Sequence, residues 1–269
     1  MSRGVFTGNE SVGQVISMNA REHLYKSEAV IIKRSNLGEA DKILTIFTPN
    51  FGKLRVVARG VRKVTSRLAG HVELFTRSQM LLAKGRNLDI VTQSETIDAF
   101  RPLHEDLSLI ARASYAAEML DKLTPDALEV YPAYKLMVET LQLMSTDADP
   151  DRVLRWFELQ LLGYLGYAPE LTRCVECGNE LAPVVNGFSP ALGGVVCASC
   201  RRIGVGKDLS VNALKVLRLM QRNPYAAVGR VRLDPPLHAE LQAVTQAYIT
   251  HILESDLRSA HFIKTTSPG

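Results

Sequence analysis

Lys42-Ile43-Leu44-Thr45-Ile46-Phe47-Thr48-Pro49-Asn50-Phe51-Gly52-Lys53-Leu54-Arg55-Val56-Val57-Ala58-Arg59 reads as two strands around a turn. The first half is rich in β-branched and aromatic residues, which suit a pleated surface. Pro49-Asn50-Phe51-Gly52 is the turn signal. The second half alternates. Leu54, Val56 and Ala58 point one way, and Lys53, Arg55 and Arg59 point the other. Upstream, Ala29-Val30-Ile31-Ile32 is a short apolar run. Downstream, Val72 to Ala83 and Leu88 to Ile97 read as two more strands around Lys84-Gly85-Arg86-Asn87, a hairpin candidate. Five short strands in succession predict a small barrel or sandwich.

The period then changes. Residues 104–123 and 131–145 carry apolar residues at helical spacing. Asp149-Pro150 is a helix start, because aspartate caps and proline fits the first turn. The stripe that follows is Val153, Phe157, Leu161 and Leu165, and Pro169 is read as its stop. Helical spacing resumes after Ser210 and again over 237–253. Single Trp156 sits beside the Val153–Phe157 stripe and reads as core or half-buried. Residues 1–22 show no sustained period and read as a disordered tail; Met18 is an alternative start.

Between the helical stretches lie all four cysteines, as Cys174-x-x-Cys177, nineteen residues, then Cys197-x-x-Cys200. Two residues between thiolates let one tight turn aim both sulfurs at one point, and two turns complete a tetrahedral shell for zinc. Two disulfides or free thiols are the competing readings. Four thiolates leave no open position for water, so this zinc is structural. His71-Val72-Glu73 has the H-x-E form of a zinc deaminase. It lies far before Cys174, and the second cysteine pair already completes the shell. Gly204-Val205-Gly206-Lys207 lacks the remaining residues of a phosphate loop, with Arg201 and Asp208 where glycine and Ser/Thr belong. The histidines form no metal spacing, there is no GxSxG elbow, and no carboxylate cluster marks a hydrolase or nuclease, so a non-enzyme is expected.

Composition narrows the class. Hydrophobic residues make up 46%, enough for a buried core, and no stretch is long and apolar enough to span a membrane. Arg3, Glu10 and Arg21, without an apolar segment, are unlike a secretion signal. Paired cysteines then point to a reducing, cytoplasmic setting and a metal. Net charge is only +4, but its distribution is uneven. No acidic residue stands between Asp41 and Glu73, whereas Lys53, Arg55, Arg59, Arg62, Lys63 and Arg67 do. One sign of charge on a strand face and the adjoining loop suits a phosphate backbone; a solvated face is the plainer reading. Phe51 and Phe75 are candidates for base stacking or for core.

These residues together resemble the bacterial RecO family of recombination mediators. The resemblance rests on Tyr25-Lys26-Ser27-Glu28-Ala29-Val30-Ile31-Ile32, Gly38-Glu39-Ala40-Asp41-Lys42, Leu44-Thr45-Ile46-Phe47-Thr48 and Gly52-Lys53…Ala58-Arg59-Gly60-Val61-Arg62. It extends to Cys174-x-x-Cys177-Gly178, Phe188, Gly193-Gly194 and Cys197-x-x-Cys200, and covers residues 24–262. It implies a multidomain α+β chain with an N-terminal OB-fold β-barrel and a C-terminal helical domain carrying the inserted zinc finger. The expected division is a disordered extension at 1–23, the OB-fold domain at 24–102 and helices at 103–168. The zinc insert at 169–207, helices at 208–262 and a tail at 263–269 complete it. It implies binding of single- and double-stranded DNA, annealing of complementary strands, and, with RecR, loading of RecA onto DNA covered by single-strand DNA-binding protein. Nucleoid association follows from that role. The resemblance also implies that the cysteine pairs are absent in some members, so that zinc supports structure rather than activity. A zinc-stapled adaptor whose basic face meets an acidic protein is the alternative.

Overall fold

The computed structural model describes residues 24–201 and 206–266. The tail reading for 1–22 and the first half of the glycine fragment at 204–207 therefore lie outside the described residues. Five strands, β1 (Leu24–Leu37), β2 (Asp41–Thr48), β3 (Gly52–Ala58), β4 (Arg77–Ala83) and β5 (Asp89–Asp98), close into a barrel of order β1-β2-β3-β5-β4. All neighbours are antiparallel except β3 and β5, which run parallel from Val56↔Asp89. β1 is long enough to serve two neighbours: Leu24–Val30 pair with β4 and Val30–Leu37 with β2, with a register shift between Ile31 and Lys33. Such a shift bends a strand and lets a small sheet close.

The apolar run in β1 is continuous because both of its faces are covered. Ala29 and Ile31 belong to the barrel core with Leu44, Ile46, Val56, Ala58, Met80 and Leu82. Val30 and Ile32 belong instead to the core of the helical part, with Phe47, Phe75 and Phe100. One face of the barrel is thus a wall of the helical core.

The strand expected from Val72 starts only at Arg77. Ala69–His71 form a 3-10 turn, and Phe75 adopts a left-handed conformation at φ 63°. That turn drives the Phe75 ring into the helical core, so Phe75 is core and not a stacking platform. The Lys84–Asn87 hairpin is present; Asp89 ties it by accepting from Lys84 Nζ and the Gly85 N–H.

The helical part comprises α1 (Pro102–Glu105), α2 (Leu107–Leu123), α3 (Tyr131–Met144), α4 (Pro150–Tyr164), α5 (Val211–Arg222), α6 (Tyr225–Val228), α7 (Pro235–Leu253) and α8 (Arg258–Thr266). Between α4 and α5 stands a three-stranded sheet of order β7-β6-β8, from β6 (Asn186–Ser189), β7 (Gly194–Val196) and β8 (Lys207–Leu209). The helix read over 104–123 is broken at Asp106, which is extended and caps α2 by accepting from the Ser108 and Leu109 N–H groups. Asp149 and Ser210 cap α4 and α5 in the same manner.

Val153, Phe157 and Leu161 are fully buried, as the stripe required, and Trp156 is buried with its Nε1–H on the Asn223 carbonyl. α4 ends before Pro169, however. Gly166 stands at φ 82°, with its N–H on Gly163 O and the Tyr167 N–H on Leu162 O. This paired bonding closes a helix end on a left-handed residue, a conformation glycine adopts without a Cβ penalty. α8 crosses the expected start of the tail at 263. Leu257 and Ile263 are buried, and Glu118 of α2 accepts from the Ser259 N–H and hydroxyl.

Candidate nucleic-acid interface and metal centre

β3 places Arg55 outward, and Arg59 follows at its end; both are exposed. The chain then forms a loop pinned at its base. Gly60 N–H donates to Asp41 Oδ1 at 2.7 Å, and Arg62 N–H donates to Ala40 O at 2.9 Å. Val61 is buried under the barrel, and Leu68 and Ala69 pack on its core, so both ends of the loop are fixed. Arg62, Lys63 and Arg67 project between those anchors and are exposed. Arg62 Nη1 donates to Gly38 O at 3.0 Å. Among the described residues, Arg55, Arg59, Arg62, Lys63 and Arg67 have no carboxylate partner. Five cations on a single strand end and its loop leave a strip of uncompensated positive charge.

Lys53 does not belong to that strip. Its side chain is only 10% exposed, and Nζ lies 3.1 Å from Asp121 Oδ1 and 3.2 Å from Asp126 Oδ1. It also donates to the Asp121 carbonyl at 2.6 Å. Strand alternation puts Lys53 on the outer face correctly, but the α2–α3 connection covers that end of β3. Ala127 N–H donates to Lys53 O, and a Cβ on Gly52 would lie 1.9 Å from Leu128 O. Gly52 is therefore needed both for its φ of 61° and for this close approach. Asp121 and Asp126 are the residues that sequence reasoning missed; they lie some seventy positions away, and strand periodicity carries no trace of them.

Aromatic side chains near the strip are scarce. Phe51 is half-buried and meets Tyr25 edge-on at 4.9 Å, next to Lys53 at the covered end. His71 Nδ1 is within hydrogen-bond distance of Thr96 Oγ1, and Glu73 pairs with Arg34. The H-x-E fragment is thus part of the barrel wall, apart from the cysteines.

All four cysteine sulfurs lie within 4.8 Å of one another. Cys177 Sγ and Cys197 Sγ are 3.9 Å apart. A tetrahedral zinc with bonds of about 2.3 Å sets its sulfurs about 3.8 Å apart, so the cluster has the size of that shell. Disulfides are not formed. Each pair sits on a tight turn: Gly178 N–H donates to Cys174 O, and Cys200 and Arg201 N–H groups donate to Cys197 O. Burial raises the Cys174 thiol pKa, but N–H donation from Cys197, Cys177 and Glu176 outweighs it and lowers the value to about 6. Such thiolate-stabilising N–H groups fit a metal ligand. The knuckles are fastened to the helices: Val195, Leu171, Phe188 and Leu209 lie in the helical core, and Phe188 meets Tyr248 edge-on at 5.6 Å.

Among the described residues no helix is long and apolar enough to cross a membrane. Family models match both halves: "Recombination protein O N terminal" over residues 18–100, and "Recombination protein O C terminal" over residues 104–261. Curated proteins named DNA repair protein RecO are similar over most of their length. The one from Roseiflexus sp. (strain RS-1) is 44% identical, covering 93% of this chain and 90% of its own. Those from Dehalococcoides mccartyi (strain BAV1) and Symbiobacterium thermophilum are 35% and 38% identical, each covering 90% of this chain and 96% and 97% of their own. With both halves matched and relatives similar over nine-tenths or more of each chain, the chain belongs to the RecO family of DNA repair and recombination proteins.

Proposed function

We propose that this chain is a DNA-binding recombination mediator that grips phosphates through Arg55, Arg59, Arg62, Lys63 and Arg67 and speeds pairing of complementary strands without nucleotide hydrolysis. The observation that supports it most is the strip of five exposed cations without carboxylate partners, on a closed barrel in a chain of the RecO family. The five-stranded order with a parallel β3–β5 closure is read as an OB fold, a scaffold that presents one face to nucleic acid. We divide the chain into that barrel at 24–102, helices at 103–168 and 208–266, and a zinc insert at 169–207. Cys174, Cys177, Cys197 and Cys200 would hold one zinc, which staples two turns to the helical core and takes no part in chemistry. RecR, single-strand DNA-binding protein and RecA are the protein partners this role entails.

The physical argument is one of charge. Two strands repel each other through their phosphates, and a cationic surface lowers that barrier by releasing counterions from both. Few aromatics near the strip leave bases free to unstack and find partners. Annealing of labelled complementary oligonucleotides should therefore accelerate without ATP and slow as salt rises. Pairing no faster than in buffer, or dependent on ATP, would replace this reading with that of an adaptor for an acidic protein.

A further inference from the structure

A second stretch of the chain is stripped of acidic residues. Between Asp208 and Asp234 there are none, while Lys215, Arg218, Arg222, Arg230 and Arg232 fall within it. Three of these share one helix. At 3.6 residues per turn, Lys215, Arg218 and Arg222 lie within an arc of about 60° on α5 and span about 10 Å of its axis. The opposite face, Ala213, Leu214, Val216, Leu217 and Met220, is buried. α5 packs on α4 and α7, whereas the barrel docks on α2 and α3 through Lys53 and Tyr134. The two basic faces thus lie on different elements, one on the barrel and one on a helix packed against α4 and α7.

The chain from α4 into the first cysteine turn runs beside this face. Gln221 Nε2 donates to Pro169 O at 2.7 Å, and Arg218 Nε donates to Leu171 O at 2.6 Å, so the segment runs antiparallel to α5. That direction brings exposed Arg173 toward the Lys215 end and exposed Tyr167 toward the Arg222 end. Tyr164, also half exposed, stands one turn after Gln160, whose amide bonds the Met220 and Gln221 carbonyls at the end of α5. Glu170 is held by the Thr172 hydroxyl and the Thr172 and Arg173 N–H groups and also interacts with Arg222, offsetting part of that one charge. Cations at regular helical spacing with uncovered aromatic rings at one end match a single nucleic-acid strand, whose phosphates recur and whose bases stack without regard to sequence.

We propose that the outer face of α5 is a second nucleic-acid contact, holding the phosphates of a single strand on Lys215, Arg218, Arg222 and Arg173 and stacking its bases on Tyr164 and Tyr167. This rests on the DNA-binding reading of the chain and adds to it a second strand held apart from the barrel. The test uses the full chain and a short fluorescent oligo-dT. Lys215→Ala/Arg222→Ala changes two exposed side chains and spares Arg218, which also braces Leu171. The unaltered chain should bind two oligonucleotides, and the α5 variant and an Arg55→Ala/Arg59→Ala/Arg62→Ala barrel variant one each. Measured in the barrel variant, where the α5 site stands alone, adding Lys215→Ala/Arg222→Ala should weaken the remaining binding and flatten its slope of log K against log salt by about 1.4 for two lost contacts. Tyr164→Ala/Tyr167→Ala should weaken that site with little change of slope. One oligonucleotide per chain, lost in the barrel variant and untouched by the α5 variants, would overturn the second contact and leave the barrel reading standing. No binding by the unaltered chain would overturn both. Binding of poly-glutamate, but not of oligo-dT, at Lys215 and Arg222 would assign the face to an acidic protein instead.

Discussion

Lys53 and Arg55 stand two positions apart on the outer side of β3, and their surroundings give them opposite roles. Lys53 is held by Asp121 and Asp126 under the α2–α3 connection, whereas Arg55 is exposed beside Thr45 of β2. Lys53→Met leaves Asp121 facing a methyl group and a lost bond to its carbonyl, at a cost of about 1–3 kcal/mol. Denaturant unfolding should show that loss, while DNA affinity and its salt slope stay as in the unaltered chain. Arg55→Ala should do the reverse, with unchanged unfolding and a salt slope flatter by about 0.7 on single strands. If Lys53→Met weakened DNA binding as Arg55→Ala does, the strip would begin at Lys53 after all. Alternation along β3 was enough to sort these residues by face. What covers a face depends on residues distant in sequence, and no local period records it. Phe75 teaches the same lesson, since its left-handed backbone serves a core supplied by helices that follow it in the chain.

Among the elements, the cysteine turns are the most legible from sequence, because C-x-x-C spacing constrains geometry locally. Zinc content should be about one per chain in protein purified without chelator, and Cys174→Ser should lower the unfolding midpoint, because an incomplete shell no longer ties the turns together. Absence of zinc, with an unchanged midpoint, would show the cluster to be four free thiols. Capping residues were likewise legible: Asp149 at α4 accepts from the Arg152 N–H, as the Asp-Pro pair predicts, and also meets His238 Nε2 at 3.1 Å. Asp149→Ala should cost about 1 kcal/mol or more in unfolding. Harder to see were α6 and α8. The first is a single turn, and the second gains its place from Glu118 on α2, about 140 residues earlier.

At the scale of the whole molecule, barrel and helices are joined by a shared core and by charged contacts. Glu28 of β1 accepts from Arg77 Nε at 2.7 Å and from the Tyr134 hydroxyl of α3. Burial alone would raise the Glu28 pKa, but the bonds from Arg77 and Tyr134 outweigh it, and the carboxyl lies below its ordinary range. A depressed carboxyl stabilises the fold above the unfolded-state pKa of about 4.3 and loses that contribution as pH falls through the folded value. The unfolding midpoint should therefore drop on acidification below about pH 4, and Glu28→Gln should lower it at neutral pH and shallow its acid limb. An acid limb identical in Glu28→Gln would place the acid-sensitive contact elsewhere.

The central claim is that the barrel strip binds nucleic acid through phosphates. The most direct measurement is a titration of single-stranded oligonucleotides of unrelated sequence over a range of salt, with the unaltered chain and the folded Arg55→Ala/Arg59→Ala/Arg62→Ala variant. The account predicts weaker binding by the variant on every sequence, with a log K against log salt slope flatter by about 2. Equal affinity and equal slope for the two proteins would contradict it.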